Sequence, residues 1–244
     1  MSRNEPVFNV PRSVLGLILL MVAVHAIRIS LPDETDVTVL LLLAFIPSRY
    51  AGEAMLLPGG YLACVTSFVT YTVVHGGWLH LLVNCLWMLA FGSAVARRIG
   101  DQRFLLFSAF AGVAGALVHL MLHFGEQAPM IGASAAISGQ MAGALRFVFR
   151  ARPGAYGPGM GRDLTATPLA SLSQTLTDPR ILLFLAIWVV LNVSFGLSAL
   201  PIMGVPSGSG VAWEAHIGGF LFGLFCFGFF DRPPEPAPPR EEIE

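Results

Sequence analysis

Two short segments hold the side chains best suited to chemistry. Met130 to Gly139 carries Ser134 just inside one apolar stretch, and Ala215 to Gly223 carries His216 just inside another. Ionisable groups are rare in lipid-embedded segments because burying them costs several kcal/mol. A hydroxyl and an imidazole at matching depth therefore suggest acyl chemistry within the bilayer. Ser134 can serve as nucleophile, and His216, whose free pKa lies near neutrality, can take its proton. A third stretch, opening near Gly77, places His80 and Asn84 one helical turn apart on one face. The oxyanion of such a reaction can be held by the Asn84 amide, by His80 and by the backbone N–H of Ser134. That N–H lies in the first helical turn, where donors are free and the dipole end is positive.

The elements that must position these groups follow from composition. The chain has 244 residues and only 12% are charged, against about 25% in soluble domains. This is the composition of a polytopic membrane protein. With a net charge of −1 it has no basic surface for nucleic acid. Cys64, Cys85 and Cys226 have no paired spacing that would make a disulfide framework or a zinc knuckle.

A spanning helix needs roughly 20 apolar residues. Six segments qualify, near Val14–Leu31, Gly77 to just before Arg97, Phe104–Phe124, Ile131–Phe149, Ile181–Leu200 and Val211–Phe230. Asp101 and the pair Asp178-Pro179 read as helix starts, and Pro201 and Pro206 punctuate the loop before the sixth helix. The loop from Pro32 to Val74 contains the apolar run Val39–Ile46, too short to span, and reads as an interfacial or re-entrant element, with a tilted seventh helix as the alternative. The expected organisation is a cytoplasmic segment at 1–12, a membrane domain at 13–231 and a disordered tail at 232–244, with a Pro/Gly-rich linker at Pro153–Gly161. Arginines crowd the termini and the loops after helices two and four, which predicts cytoplasmic termini and a bacterial inner membrane location.

This orientation makes helices two, four and six all run inward. Ser134 follows Pro129 by about five residues and His216 follows Gly210 by about six, so both lie roughly 8 Å below the outer boundary. Gly139 and Gly143 on helix four, and Gly219 and Gly223 on helix six, form small-residue faces that allow close backbone approach. Glu214 lies about 200° around the helix from His216 and reads as a rim carboxylate facing water. No acid is placed to orient the histidine, so the expectation is a Ser–His dyad. Ser138, one turn after Ser134, is the rival nucleophile; it reads as a packing residue or one bonded to its own backbone. His119 and His123 stand four apart without an H-E-x-x-H motif and read as interfacial histidines rather than metal ligands.

With these motifs in order, the chain resembles the rhomboid family of intramembrane serine proteases. The resemblance rests on Gly132-Ala133-Ser134, on Ala215-His216 with Gly219 and Gly223, on His75-Gly-Gly-Trp-Leu-His80 with Asn84, and on Ala94-Val-Ala-Arg-Arg-Ile-Gly100. It implies an all-α, six-transmembrane-helix bundle with a membrane-embedded first loop beside the active site. Ser134 would be the nucleophile, His216 the base, and His80 and Asn84 part of the oxyanion hole. Substrates would be transmembrane segments of other proteins in the lipid bilayer, cut near the outer face, with no metal or cofactor. The family often has glycine where Ala135 stands, and its first-loop Trp-Arg pair is not apparent before His75. A non-catalytic relative that binds client helices is the competing class. A small-solute transporter is more distant, since no inverted repeat is evident.

Overall fold

A computed structural model describes residues 10–150, 167–196 and 211–231. The expected linker, most of the N-terminal segment, the tail from Arg232 and the loop holding Pro201 and Pro206 lie outside these residues. Among the described residues the chain is helical, with one isolated bridge and no strand.

The six expected long helices are present. They are α1 (Arg12–Arg28), α4 (Trp78–Ile99), α5 (Asp101–Leu122), α6 (Ser134–Val148), α8 (Pro179–Gly196) and α9 (Trp213–Phe230). The first loop folds into two 11-residue helices, α2 (Asp33–Leu43) and α3 (Gly60–Thr70), and a short α7 (Leu172–Thr177) precedes α8. At 1.5 Å per residue α2 and α3 each reach only about 16 Å, half a bilayer core. α4, α5 and α9 are apolar and long enough to cross a membrane, and large apolar side chains such as Leu19, Leu82, Leu106, Val190 and Phe229 are exposed on the bundle's outside. The chain is a multi-pass membrane protein.

Helix starts use local chemistry. The Asp178 carboxylate accepts from the Arg180 N–H (2.9 Å) and from its guanidinium, and the Arg180 hydrogen bonds hold its pKa down to about 2, so it stays ionised at the start of α8. Asp101 behaves differently from the expectation. Gly100 occupies the cap position of α5, and the Asp101 carboxylate instead accepts from the N–H (3.2 Å) and hydroxyl (2.6 Å) of Ser13, in the first turn of α1. It satisfies a free donor on a neighbouring helix rather than on its own.

α6 sits at the centre. Every residue from Ala135 to Phe147 is buried. α5, α9 and α4 surround it. Its 15 residues span about 22 Å, short of the roughly 30 Å hydrocarbon core, so at least one of its ends lies below the membrane surface. Gln140 is fully buried in this helix and donates to the Ser108 hydroxyl of α5 (2.9 Å). It also faces Gly92, in the π-helical turn Met88–Gly92 of α4.

The packing of α6 on α9 depends on missing side chains. A Cβ on Gly219 would run into the Ala135 backbone carbonyl, and one on Gly223 into that of Gly139. Gly143 receives the Phe227 ring, and a Cβ on Gly139 would reach Ala111 of α5 at 2.5 Å. The methyl of Ala135 turns toward α5 rather than α9: it lies where Gly115 has no side chain. Ala135 is thus accommodated by a glycine on a third helix.

Far from Ser134 the bundle is tied by charge. The Arg98 guanidinium makes two bonds to Asp231 (2.8 and 2.7 Å) and lies over the Phe147 ring. The Arg146 guanidinium donates to the carbonyls of Ala170 and Leu224. Bidentate guanidinium contacts of this kind fix geometry as well as adding energy.

The seam predicts an asymmetric glycine response. Gly223→Ala must push α6 and α9 apart and should lower stability by about 1–3 kcal/mol, the usual cost of overpacking. Gly16 on α1 has open space around it, so Gly16→Ala should leave the thermal midpoint in detergent unchanged or higher. Equal midpoints for the two variants would contradict the close-approach reading.

Candidate active site

Ser134 is the first residue of α6, and the segment leading to it is strapped at two points. Phe45 and Met130 exchange backbone hydrogen bonds (3.0 and 2.8 Å), which clips the first loop to this segment. The Gly132 N–H donates to the Tyr71 carbonyl (3.0 Å), and the buried Tyr71 hydroxyl donates to the Gly112 carbonyl of α5 (2.8 Å). Gly132 adopts φ +114°, open to glycine and strained for other residues, and a Cβ there would lie 2.7 Å from His80 Nε2. Glycine is required at this position on both counts.

The structure brings Ser134 and His216 together. His216 Nε2 lies 2.7 Å from Ser134 Oγ, and both residues are half-buried. The other ring nitrogen of His216, Nδ1, lies 2.5 Å from Asn192 Oδ1. Asn192 is buried in α8, and its Nδ2 donates to the Trp188 carbonyl (2.8 Å). That carbonyl can only accept, so the amide orientation is set, with Oδ1 toward the imidazole. Nδ1 then carries the proton, and Nε2 presents its lone pair to the serine hydroxyl. Sequence reasoning sought an acid beside His216 and found none; it missed the neutral amide. The available signal was a lone asparagine in the run Ile181–Leu200, whose other polar side chains are the hydroxyls of Ser194 and Ser198.

His80 sits on the other side of the site. The Gly76 N–H faces its Nδ1 at 3.4 Å, which leaves the proton on Nε2, the atom aimed at Gly132. Its ring packs edge-on against that of buried His75, with centroids 5.0 Å apart. Asn84 is buried one turn further along α4, where its amide donates to the His80 carbonyl (2.9 Å). The segment holding these residues is anchored by Arg28, which pairs with Asp36 and donates to the His75 carbonyl (3.1 Å). In the first loop, buried Arg49 donates to the Leu41 carbonyl (2.6 Å).

Ser138, the rival nucleophile, donates its hydroxyl to the Ser134 carbonyl (2.8 Å) within its own helix. Glu214 does not face water. It is buried, and its carboxylate meets His119 Nδ1 at 2.6 Å and His123 Nε2 at 3.2 Å. The reason is positional: the side of α9 opposite the His216 imidazole is covered by the end of α5.

The Rhomboid domain family matches residues 63–233. Over 156 residues the chain is 28% identical to RHOMBOID-like protein 4 of Arabidopsis thaliana, covering 64% of this chain and 31% of that protein. Over 165 residues it is 27% identical to Rhomboid protease GluP of Bacillus subtilis, covering 68% of this chain and 26% of that protein. The chain thus spans about a third or less of these relatives' length. A family match that takes in α4 to α9, and with them Ser134, His216, His80 and Asn84, places the chain in the rhomboid family.

Proposed function

We propose that this chain is an intramembrane serine endopeptidase that cleaves transmembrane segments of other membrane proteins. The observation that carries the reading is the contact of Ser134 Oγ with His216 Nε2, backed by Asn192 on the far ring nitrogen. The match to a rhomboid protease supports it.

In this mechanism Ser134 Oγ attacks the scissile carbonyl carbon while His216 Nε2 takes the hydroxyl proton. The charge that forms on the carbonyl oxygen meets the Nε2–H of His80, the amide of Asn84 and the backbone N–H of Ser134. His216 returns the proton to the departing amine, and an acyl-enzyme ester remains on Ser134. Water then loses a proton to His216 and attacks the ester, and His216 passes that proton to the departing Ser134 oxygen, which restores the hydroxyl and the neutral imidazole. Asn192 keeps the imidazole in the tautomer that can accept. It is a positioning residue, so the working unit is Ser134–His216–Asn192 rather than a dyad. The chemistry needs no metal or cofactor.

The arginine distribution supports cytoplasmic termini in a bacterial inner membrane, and hence cleavage near the outer face. The half-spanning α2 and α3 fit a first loop embedded in the membrane beside the site. A non-catalytic relative would have no reason to hold the serine and imidazole in reacting geometry.

A fluorophosphonate probe should label the purified protein and fail to label Ser134→Ala. Labelling that persists would reassign the nucleophile; a folded protein that never labels would favour the client-binding class. His216→Ala should cut cleavage of a reporter transmembrane segment by roughly 10²–10⁴-fold. Asn84→Ala should cost about 10²-fold without abolishing it.

Asn192→Ala removes a hydrogen bond to a ring that becomes charged in the reaction, worth about 1.5–3 kcal/mol or roughly 10- to 150-fold in rate. Asn192→Asp, which keeps the acceptor, should recover labelling. Equal rates for the Ala and Asp variants would remove Asn192 from the mechanism.

A further inference from the structure

One cluster of ionisable groups, with two of its three members buried, has no part in the proposed reaction. His119 and His123 lie one turn apart at the end of α5, and Glu214 lies in the first turn of α9. The ligand atoms of the three lie within 4.8 Å of one another. They come from two helices that run in opposite directions, and they lie on the side of α9 away from the Ser134 contact.

The surroundings of His123 decide what the cluster can hold. Its Nε2 faces Glu214 Oε1 at 3.2 Å, and its Nδ1 faces Glu126 Oε2 at 3.0 Å. Both oxygens are acceptors and a neutral imidazole has a single N–H, so either an imidazolium or a metal ion on the ring is needed to satisfy both. A cation on Nε2 satisfies both sides at once: Nε2 and Glu214 become ligands, and Nδ1–H donates to Glu126. That is the carboxylate–histidine–metal arrangement by which an outer carboxylate orients a ligating imidazole.

Donor type and spacing narrow the ion. Two imidazoles and one carboxylate favour zinc and its neighbours over magnesium or calcium, which prefer all-oxygen sites. Tetrahedral ligands about 2.0–2.1 Å from zinc lie roughly 3.3 Å from each other. The His123–Glu214 contact already has that spacing. The His119 Nδ1–Glu214 contact, at 2.6 Å, has to open by less than about 1 Å. His119 is buried, whereas the His123 side chain is 32% exposed, which leaves a path for the ion and for a fourth, water ligand.

We propose that His119, His123 and Glu214 form a zinc-class divalent cation site that fastens the end of α5 to the first turn of α9. Glu214 is two residues from His216, so an ion here holds the turn that carries the imidazole without touching the reacting atoms. The site departs from the expectation that the chain has no metal, and it stands whether or not the chain is a protease.

The test uses the full chain, purified in detergent without a polyhistidine tag and titrated with Co²⁺. One equivalent should give the visible bands of four-coordinate cobalt, and Zn²⁺ should bleach them. His123→Ala, a change at a half-exposed helix end, should abolish the bands, and so should Glu214→Gln. Glu126→Gln should weaken binding by about 10- to 100-fold, while His216→Ala should titrate like the parent. Absence of bands in the parent, bands unchanged in His123→Ala and Glu214→Gln, or bands lost in His216→Ala would each overturn the proposal.

Discussion

The structure turns on how closely two backbones approach. α6 and α9 meet through Gly219 against the Ala135 carbonyl and Gly223 against that of Gly139. Lipid offers no hydrophobic drive for one helix to leave it for another, so helix association in a bilayer relies on close packing, and small residues are what permit it. Ala135 adjoins Ser134, and Gly219 lies less than one turn after His216. The contact between hydroxyl and imidazole is therefore the first rung of the same seam.

A third helix completes the site, and the residue type it supplies has a physical reason. A carboxylate next to His216 would have to be held ionised in a low-dielectric bundle, at a desolvation cost of several kcal/mol. The Asn192 amide provides the same acceptor without that penalty, and the Trp188 carbonyl uses its donor side. A neutral partner stabilises an imidazolium less than a carboxylate would, but it sets the tautomer equally well. The carboxylate that is nearby, Glu214, is spent on His119 and His123 instead.

Much of this was legible in the residues. The six long helices follow from apolar length and terminal signals, and the depth of Ser134 and His216 follows from helical rise. The glycine pairs on α6 and α9 announced a close contact, although not which carbonyl each would meet. What escaped sequence reading was every interaction whose partner is remote in the chain and neutral or unexpected in type. Asn192 sits 24 residues from His216 on another helix, and no motif links the two. Asp101 carried the right residue type for its own helix start and went to Ser13, 88 residues away. Glu214 was assigned to water because periodicity says which way a side chain points and not what waits there. The match of Ala135 to Gly115 is equally invisible without coordinates, because it depends on which face of α6 meets α5.

The enclosure of α6 carries an evolutionary consequence. Helices on the rim, such as α1 and α8, present residues like Leu19 and Val190 to lipid, and any greasy replacement serves there. The central helix has protein on every side, and its neighbours lack the very atoms that a bulkier substituent would need to displace. Permissiveness to substitution in this molecule should therefore be radial: drift accumulates at the periphery, while the axis changes only through paired adjustments, as the fit of Ala135 against Gly115 illustrates.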